Sequence, residues 1–501
     1  MQRILSAPDL DFDAVRTELG ISEDYGAAAQ DEADHPADRW SADREDRTDL
    51  PFVTIDPPTS MDLDQAVHIV ADGDGFLVNY AIADVAALVE PERALDQESR
   101  RRGATFYFPD RSVPLHPRSL SEGAGSLLPD QTRPCVLWTI RVGSDGAPVE
   151  VAVRRATIRS VAKLDYAAVT EDAAARRLHP SIAALPAFGA LRQRVALARG
   201  AVELDLPDQE VVRDDGRWTL RLAPHTEADM WNSQLSLLTG MCAGQIMADA
   251  GVGLLRTLPP ADPRAVAALR AAAVSLGVRW PDGVSVGEFL AGLPKDDPAT
   301  VALMSAGAGL MRGADYLVLD HPDRGDLVGG DPDRGDPALG DVVLTSNDGR
   351  PSPDRMRHAA IAGLYAHVTA PLRRLGDRFA TEVCLAVTSG QPVPDWVSRA
   401  LPTLPKLLRS ADALAATADR VSIDLTEAVL LASRVGETFE AVVLHAATEH
   451  RPAQVFLTDV AVIAPCEGDP LPGQRLAVTL EVADPSSRTV RFVPADRPRT
   501  P

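Results

Sequence analysis

Three carboxylates stand within nine residues of one another in the segment FVTIDPPTSMDLDQAVHIV (52–70): Asp56, Asp62 and Asp64. Carboxylates drawn together repel unless a positive charge sits among them. An all-oxygen donor set suits a hard divalent cation such as magnesium, manganese or calcium. A lone Asp-x-Asp pair in a loop is also a common solvated turn former; the third acid and the double proline weigh against that reading. The spacing is not that of an EF-hand, since no glycine follows Asp64 and no glutamate holds the twelfth position.

The flanking elements must position these acids. Residues 52–55 are apolar and β-branched, which predicts a short strand ending on Asp56. Pro57 and Pro58 remove two ladder donors, so the strand cannot continue and residues 57–60 form a loop. That loop carries Met61-Asp62-Leu63-Asp64 back towards Asp56. In an extended chain the i, i+2 spacing aims Asp62 and Asp64 the same way.

The chain has 501 residues, enough for two or three domains with a sizeable core. Its four cysteines, Cys135, Cys242, Cys384 and Cys466, lie far apart without a CxxC, as expected of a reduced, cytoplasmic protein. The start of the chain has no apolar stretch of signal-peptide length, and no run reaches 18 uninterrupted apolar residues, so no membrane association is expected. A net charge of −22 argues against nucleic acid as a partner, but its distribution weakens the objection. Residues 1–50 carry 14 acidic against 5 basic side chains, and residues 314–341 carry 8 against 2. Both segments read as peripheral: an acidic N-terminal segment, and an inserted loop with the tandem HPDRGDL, DPDRGDP.

Between them the texture is mixed. Residues 76–90 and 133–142 read as buried strands, and 147–164, with Arg154, Arg155, Arg159 and Lys163, as a strand pair. Helical spacing appears at about 185–205, 227–250 and 263–276, then over 355–390 with a break at Pro371. Residues 391–433 read as a helical connector. From 434 to 497 short strands separated by turns predict a small barrel, or otherwise a generic β-appendage.

Four ordered segments resemble the ribonuclease II family, the RNB-domain 3′-to-5′ exoribonucleases. They are TID…DLDQ (54–65), YAIADVAALVEP (80–91), RRGATFYFPDRSVPLHPRSLSEGAGSLLPDQTRP (101–134) and YAHVTAPLRRLGDR (365–378). The resemblance implies an α+β fold: an RNB catalytic domain over 51–390, in which helices surround a mixed sheet or barrel, and a closing OB-fold RNA-binding module. With the first aspartate at position 56 it implies a short form without N-terminal cold-shock domains. It implies hydrolysis of single-stranded RNA to 5′-monophosphates, assisted by Mg2+ or Mn2+, in a monomer. Asp56 and Asp64 would be metal ligands, and Asp62 a ligand or a residue orienting the terminal nucleotide. Arg373 would hold the scissile phosphate, with Arg374 beside it or turned into a salt bridge. Tyr107 would stack on a base, with Phe106 and Phe108 buried on either side. His367 would contact RNA or, more blandly, pack and hydrogen-bond. Arg101, Arg102, Arg154, Arg155 and Arg159 would line the strand's path.

Departures matter too. Gln65 stands where the family has a fourth acid; its carbonyl can coordinate a hard cation but neutralises nothing. Asn232 and Ser233 replace paired glutamates, Ala370 replaces serine and Leu375 tyrosine. Two rivals follow: a catalytically weak RNA-binding relict, and a phosphohydrolase of small phosphoesters, which would have no use for Tyr107.

Overall fold

A computed structural model of the chain describes residues 6–7, 10–294, 297–319, 352–448, 451–457 and 460–495. The inserted acidic loop expected at 314–341 therefore lies, beyond residue 319, outside the described residues.

The body that carries the acid loop is built on five strands: β1 (Phe52–Ile55), β2 (Gln65–Asp72), β3 (Gly75–Ala83), β4 (Thr132–Val142) and β5 (Pro148–Leu164). β1, β2, β3, β4 and β5 pair antiparallel in that succession, and the far end of β5 runs parallel to β1. The sheet thereby returns on itself. β5 manages both pairings because it is one 17-residue strand, not the strand pair expected. A two-residue strand, Glu45–Asp46, adds to its outer edge.

β4 shows why these runs lack a clean apolar–polar alternation. Val136, Trp138, Ile140 and Val142 face one core, while Cys135 and Leu137 face another, and all six are buried. A strand covered on both faces reads as continuously apolar. The run at 76–90 is not all strand: β3 ends at Ala83, and Asp84 caps a short helix, Val85–Leu88, by accepting the Ala87 N–H at 3.2 Å.

The helices that matter for the site are α1 (Ala94–Arg102), α2 (Leu185–Ala198), α3 (Glu227–Ala250), α4 (Leu375–Thr388) and α5 (Leu404–Leu431). α3 has a full capping box between Thr226 and Asp229 and ends on Gly251 in the left-handed region, at φ 69°. Its Gly240 lies against Tyr365, where a Cβ would come within 2.3 Å of the ring. This close approach lets the segment before the arginine pair lie directly on α3. The expected long helix over 355–390 is not formed. Only Pro353–Met356 and α4 are helical, and the stretch between them holds two short strands and a loop.

Five strands close a C-terminal barrel: β6 (Thr438–His445), β7 (Ala453–Leu457), β8 (Val462–Cys466), β9 (Arg475–Asp484) and β10 (Thr489–Pro494), in the order β6-β7-β8-β10-β9. Its core, including Phe439, Val455, Val478 and Phe492, also takes in Ala428 and Leu431 from the end of α5. The acidic N-terminal segment is not a loose tail: Arg16 is buried against Asp13 and Asp110, and Arg44 against Asp38 and Asp84. No helix among the described residues is long and apolar enough to cross a membrane.

Candidate active site

Asp56 sits where β1 stops, its N–H given to the Leu164 carbonyl at 3.0 Å. The proline loop after it is tied down from two sides. The Lys163 ammonium, at the end of β5, donates to the Pro58 carbonyl at 2.8 Å and also to that of Ser60. The Ser126 hydroxyl donates to the Met61 carbonyl at 2.6 Å and accepts the Leu63 N–H at 3.0 Å. Leu63 is fully buried between the half-buried Asp62 and the buried Asp64, which anchors this part of the loop.

Asp64 then reaches a segment more than 300 residues downstream. Its Oδ1 accepts the Leu372 N–H at 2.8 Å and its Oδ2 the Arg373 Nε–H at 3.2 Å. Next to it, the Gln65 amide nitrogen donates to the Thr369 carbonyl. The arginine loop is also held from below: Asp377, near the start of α4, accepts the Ala370 N–H at 2.7 Å. Thr105 N–H donates to the Arg373 carbonyl and Leu375 N–H to the Gly103 carbonyl, both at 3.0 Å. These bonds bring the Phe106–Tyr107 strand alongside. Phe106 and Phe108 are buried while Tyr107 is 53% exposed, and its hydroxyl donates to Asp62 Oδ2 at 3.3 Å.

Asp56, Asp62, Asp64, Arg373 and Tyr107 are thus one neighbourhood. Burial pushes the Asp56 carboxyl up to about 6, against the pull of Lys163 and then Arg373, and the Asp64 carboxyl up to about 8, against that of Arg373. Asp56 Oδ2 is buried and has no hydrogen-bond partner. Groups that strain towards the neutral form and leave an oxygen unpartnered are what a hard cation would satisfy, so the donor chemistry fits one. Among the described residues no three His, Cys, Asp or Glu side chains stand close enough together to hold a metal by themselves.

Arg374, expected at the RNA, is spent elsewhere: its guanidinium pairs with Asp377 at 2.8 Å. His367 is packed edge-on against Tyr365 and Tyr316, and burial holds its imidazole well below the ordinary value. Both residues line a cavity of about 20 Å³, room for one water, together with Arg256, Tyr316, Asp377 and Asp412. The other arginines expected along the RNA path are mostly committed. Arg101 and Arg102 pair with Glu98, Arg155 with Asp84 and Glu382, and Arg159 with Asp130 at 3.5 Å; Arg154 is exposed.

Sequence reasoning missed three neighbours of the acids. Tyr166 accepts from the Asn232 amide at 3.3 Å, and its phenol is pushed up to about 12 by burial and then by Asp56. The Tyr80 hydroxyl meets that of Ser236 at 3.0 Å. In the sequence Lys163 reads only as one of a basic series. The apolar–basic alternation of β5 placed it on the strand, but nothing local showed which loop it would clamp.

The RNB domain family matches residues 44–387, and the RNase II-type exonuclease C-terminal S1 domain matches residues 437–495. An Exoribonuclease 2 of Serratia proteamaculans is 41% identical over 133 residues, 26% of this chain and 21% of that protein. An Exoribonuclease 2 of Vibrio cholerae is 31% identical over 229 residues, 43% of this chain and 34% of that protein. The chain thus covers about a third or less of the length of these relatives. Among solved structures, Mycoplasma genitalium RNase R in complex with ribose methylated single-stranded RNA gives a TM-score of 0.81 at 19% identity, covering 96% of this chain and 77% of that one. Yeast Ssd1, a pseudonuclease, gives 0.68 at 15% identity, covering 96% and 58%. At such identities the structural likeness is one of fold. The match to the RNB domain runs over more than half of the sequence, in the body that carries the acid loop and the arginine loop, and so the chain belongs to the RNB-domain, or ribonuclease II, family.

Proposed function

We propose that this chain is a hydrolytic exoribonuclease that shortens single-stranded RNA from its 3′ end and releases nucleoside 5′-monophosphates, with magnesium or manganese as its cation. One observation carries the reading. Asp64 joins the acid loop to the Arg373 loop, beside an Asp56 carboxylate whose buried oxygen lacks a partner. The relatives named Exoribonuclease 2, and an RNase R structure bound to single-stranded RNA, support the substrate class.

Asp56 and Asp64 would hold the cation, with Asp62 and the Gln65 carbonyl oxygen as further oxygen donors. When bound, that cation would neutralise charge on the phosphate and acidify an attacking water. Arg373 uses its Nε on Asp64, which leaves its two terminal nitrogens for the phosphate oxygens. Tyr107 offers an exposed ring to the terminal base while Asp62 steadies its hydroxyl. Action in the cytoplasm belongs to the same proposal and rests on four buried, free thiols. A monomeric state belongs to it as well.

A second reading is an RNA-binding protein with little or no turnover. Gln65 favours it, because a neutral amide spent on the Thr369 carbonyl stands where a carboxylate would have added charge. Incubation with 5′-labelled single-stranded RNA and magnesium separates the two. Stepwise loss of nucleotides from the 3′ end, absent in Asp64→Asn, supports the nuclease. Full-length RNA that is bound and left intact by the wild type would sink it in favour of the second reading.

A further inference from the structure

Buried guanidinium groups in this chain are generally met by carboxylates: Arg16 by Asp13 and Asp110, Arg44 by Asp38 and Asp84, Arg378 by Asp96. One group is not. Arg192 and Arg199 lie seven residues apart, on α2 and at its C-terminal cap, and so on one face. Each places an Nη2 near the same sulfur, Met241 Sδ of α3, at 3.6 and 3.7 Å. Arg192, 2% exposed, gives Nη1 to the Gly146 carbonyl, and its Nε is buried without any partner. Arg199 holds the Ile361 carbonyl through Nε at 3.2 Å and Nη2 at 3.1 Å. Arg357 holds the next carbonyl, Ala362, at 2.9 Å. Ala362 is itself in the left-handed region, at φ 53°, a conformation that non-glycine residues seldom adopt.

The acceptors that meet these three cations are therefore a thioether, a weak one met by Arg192 and Arg199, and uncharged carbonyls. The C-terminal end of α2 contributes only a fractional negative charge. No carboxylate among the described residues pairs with any of them. The guanidinium groups work against one another: after burial, the largest depressing influence on Arg192 is Arg199, and on Arg199 it is Arg357. Buried like charge without a counter-ion is unfavourable unless something supplies the missing negative charge. Arg199 is only partly buried and Arg357 is exposed, so that charge can arrive from solvent.

We propose that Arg199 and Arg357 form a second oxyanion site, for the phosphate of an RNA backbone or for free phosphate, with Arg192 as the fixed positive charge behind them. The planar fork of two guanidinium groups suits tetrahedral phosphate oxygens better than it suits a halide. The site is not that of the scissile phosphate. Met241 lies nine residues along α3 from Asn232, which meets Tyr166 beside Asp56, and this is about 13 Å of helix.

Both arms of the test omit divalent cations, so the outcome does not depend on the hydrolytic reading. In one, the melting temperature of the full chain is compared in inorganic phosphate and in chloride at matched ionic strength. In the other, binding of a fluorescein-labelled single-stranded RNA is titrated against salt. The variants are Arg357→Gln and Arg199→Gln, with Arg357→Lys retaining the charge. If RNA supplies the phosphate, Arg357→Gln weakens binding several-fold whatever the sequence, and flattens the log K against log salt slope by about 0.7. If free phosphate is the ligand, wild type gains melting temperature in phosphate and Arg357→Gln does not, while RNA affinity is unchanged. Arg357→Lys, which keeps the charge but not the fork, should keep the salt slope and lose part of the phosphate-specific gain. Glutamine variants that match wild type in RNA affinity, in salt slope and in their response to phosphate would overturn the proposal.

Discussion

Asp84 and Asp96 are as deeply buried as Asp64, with all three at 2% exposure or less, yet their surroundings could hardly differ more. Asp84 receives Arg44 at 2.9 Å and also Arg155, and Arg155 in turn meets Glu382 and lies 3.3 Å over the Trp40 ring. Asp96 receives Arg100 at 2.9 Å and also Arg378. At the acid loop, by contrast, Arg373 pairs with Asp64 alone, and Asp56 keeps an oxygen with no partner. Burial sets the penalty for a carboxylate's charge, and the number of cations within reach decides whether that penalty is met inside the fold. The saturated cluster can only hold the fold together; the unsaturated one has capacity left for a ligand.

Breaking the saturated cluster has the largest expected effect. Asp96→Ala leaves Arg378 buried without its carboxylate and is expected to lower stability by about 3–5 kcal/mol, read from the midpoint of urea unfolding. Asp64→Asn reverses the pattern. The amide oxygen can still accept the Leu372 N–H, so the unfolding midpoint should stay near wild type. Release of mononucleotides from labelled RNA should fall by about 10²–10³-fold, and chelating the divalent cation should do the same to wild type. Two variants with equal losses of stability would erase the distinction between the clusters.

Glu427 of α5 lies between these extremes. It is buried and accepts from the Gln209 amide at 2.7 Å and the Ile463 N–H at 3.1 Å, so it has donors but no cation. Burial pushes its carboxyl up to about 8 from 4.5. A raised acid favours its neutral form in the fold. Its contribution is therefore complete below pH 4.5 and is lost as the pH climbs towards 8, by up to about 1.4 kcal/mol per pH unit. Glu427→Gln should flatten that part of the stability curve and be the more stable protein at pH 8. Urea midpoints from pH 5 to 8 measure the difference.

Tyr107→Ala removes only the exposed ring and should weaken RNA binding by about 1–3 kcal/mol. Tyr107→Phe, which loses just the hydroxyl bond to Asp62, should stay close to wild type by fluorescence anisotropy. A small phosphoester hydrolase would be indifferent to both.

What could be read in advance was local. α3 runs over the residues that its periodicity predicts, since Thr226 caps it and Gly251 ends it. The barrel's turns are marked in the same way. Two of the misread stretches each contain a residue whose partner is far away. Asp84 interrupts the apolar run at 76–90 because Arg44 and Arg155 reach it. Residues 357–374 have helical composition, yet their backbone is drawn to Asp64, Asp377 and Thr105 instead. Arg373 and Arg374 put the limit plainly. They are identical neighbours, and no pattern says that the first will face Asp64 and the second Asp377. The acids themselves were legible because three of them crowd one loop; their missing counter-charge was not, because it is a property of space.

Lys163 gives the finest test of the unsaturated site. Its ammonium spans the carbonyls of Pro58 and Ser60 and draws down the neighbouring Asp56 carboxyl, so it acts on the acids through the loop and not on substrate. Lys163→Met keeps the apolar stem along β5 but lets the loop move. A displacement on the order of 1 Å at a catalytic group can lower turnover up to 10²-fold; because Ser126 still pins Met61 and Leu63, a loss of about 10-fold is expected. The loss should fall on kcat with KM little changed, since Tyr107 is held by a different strand, and Lys163→Arg should restore most of it. A methionine variant with wild-type kcat would show that the loop needs no cation to hold its shape, and that Ser126 and the buried Leu63 are sufficient.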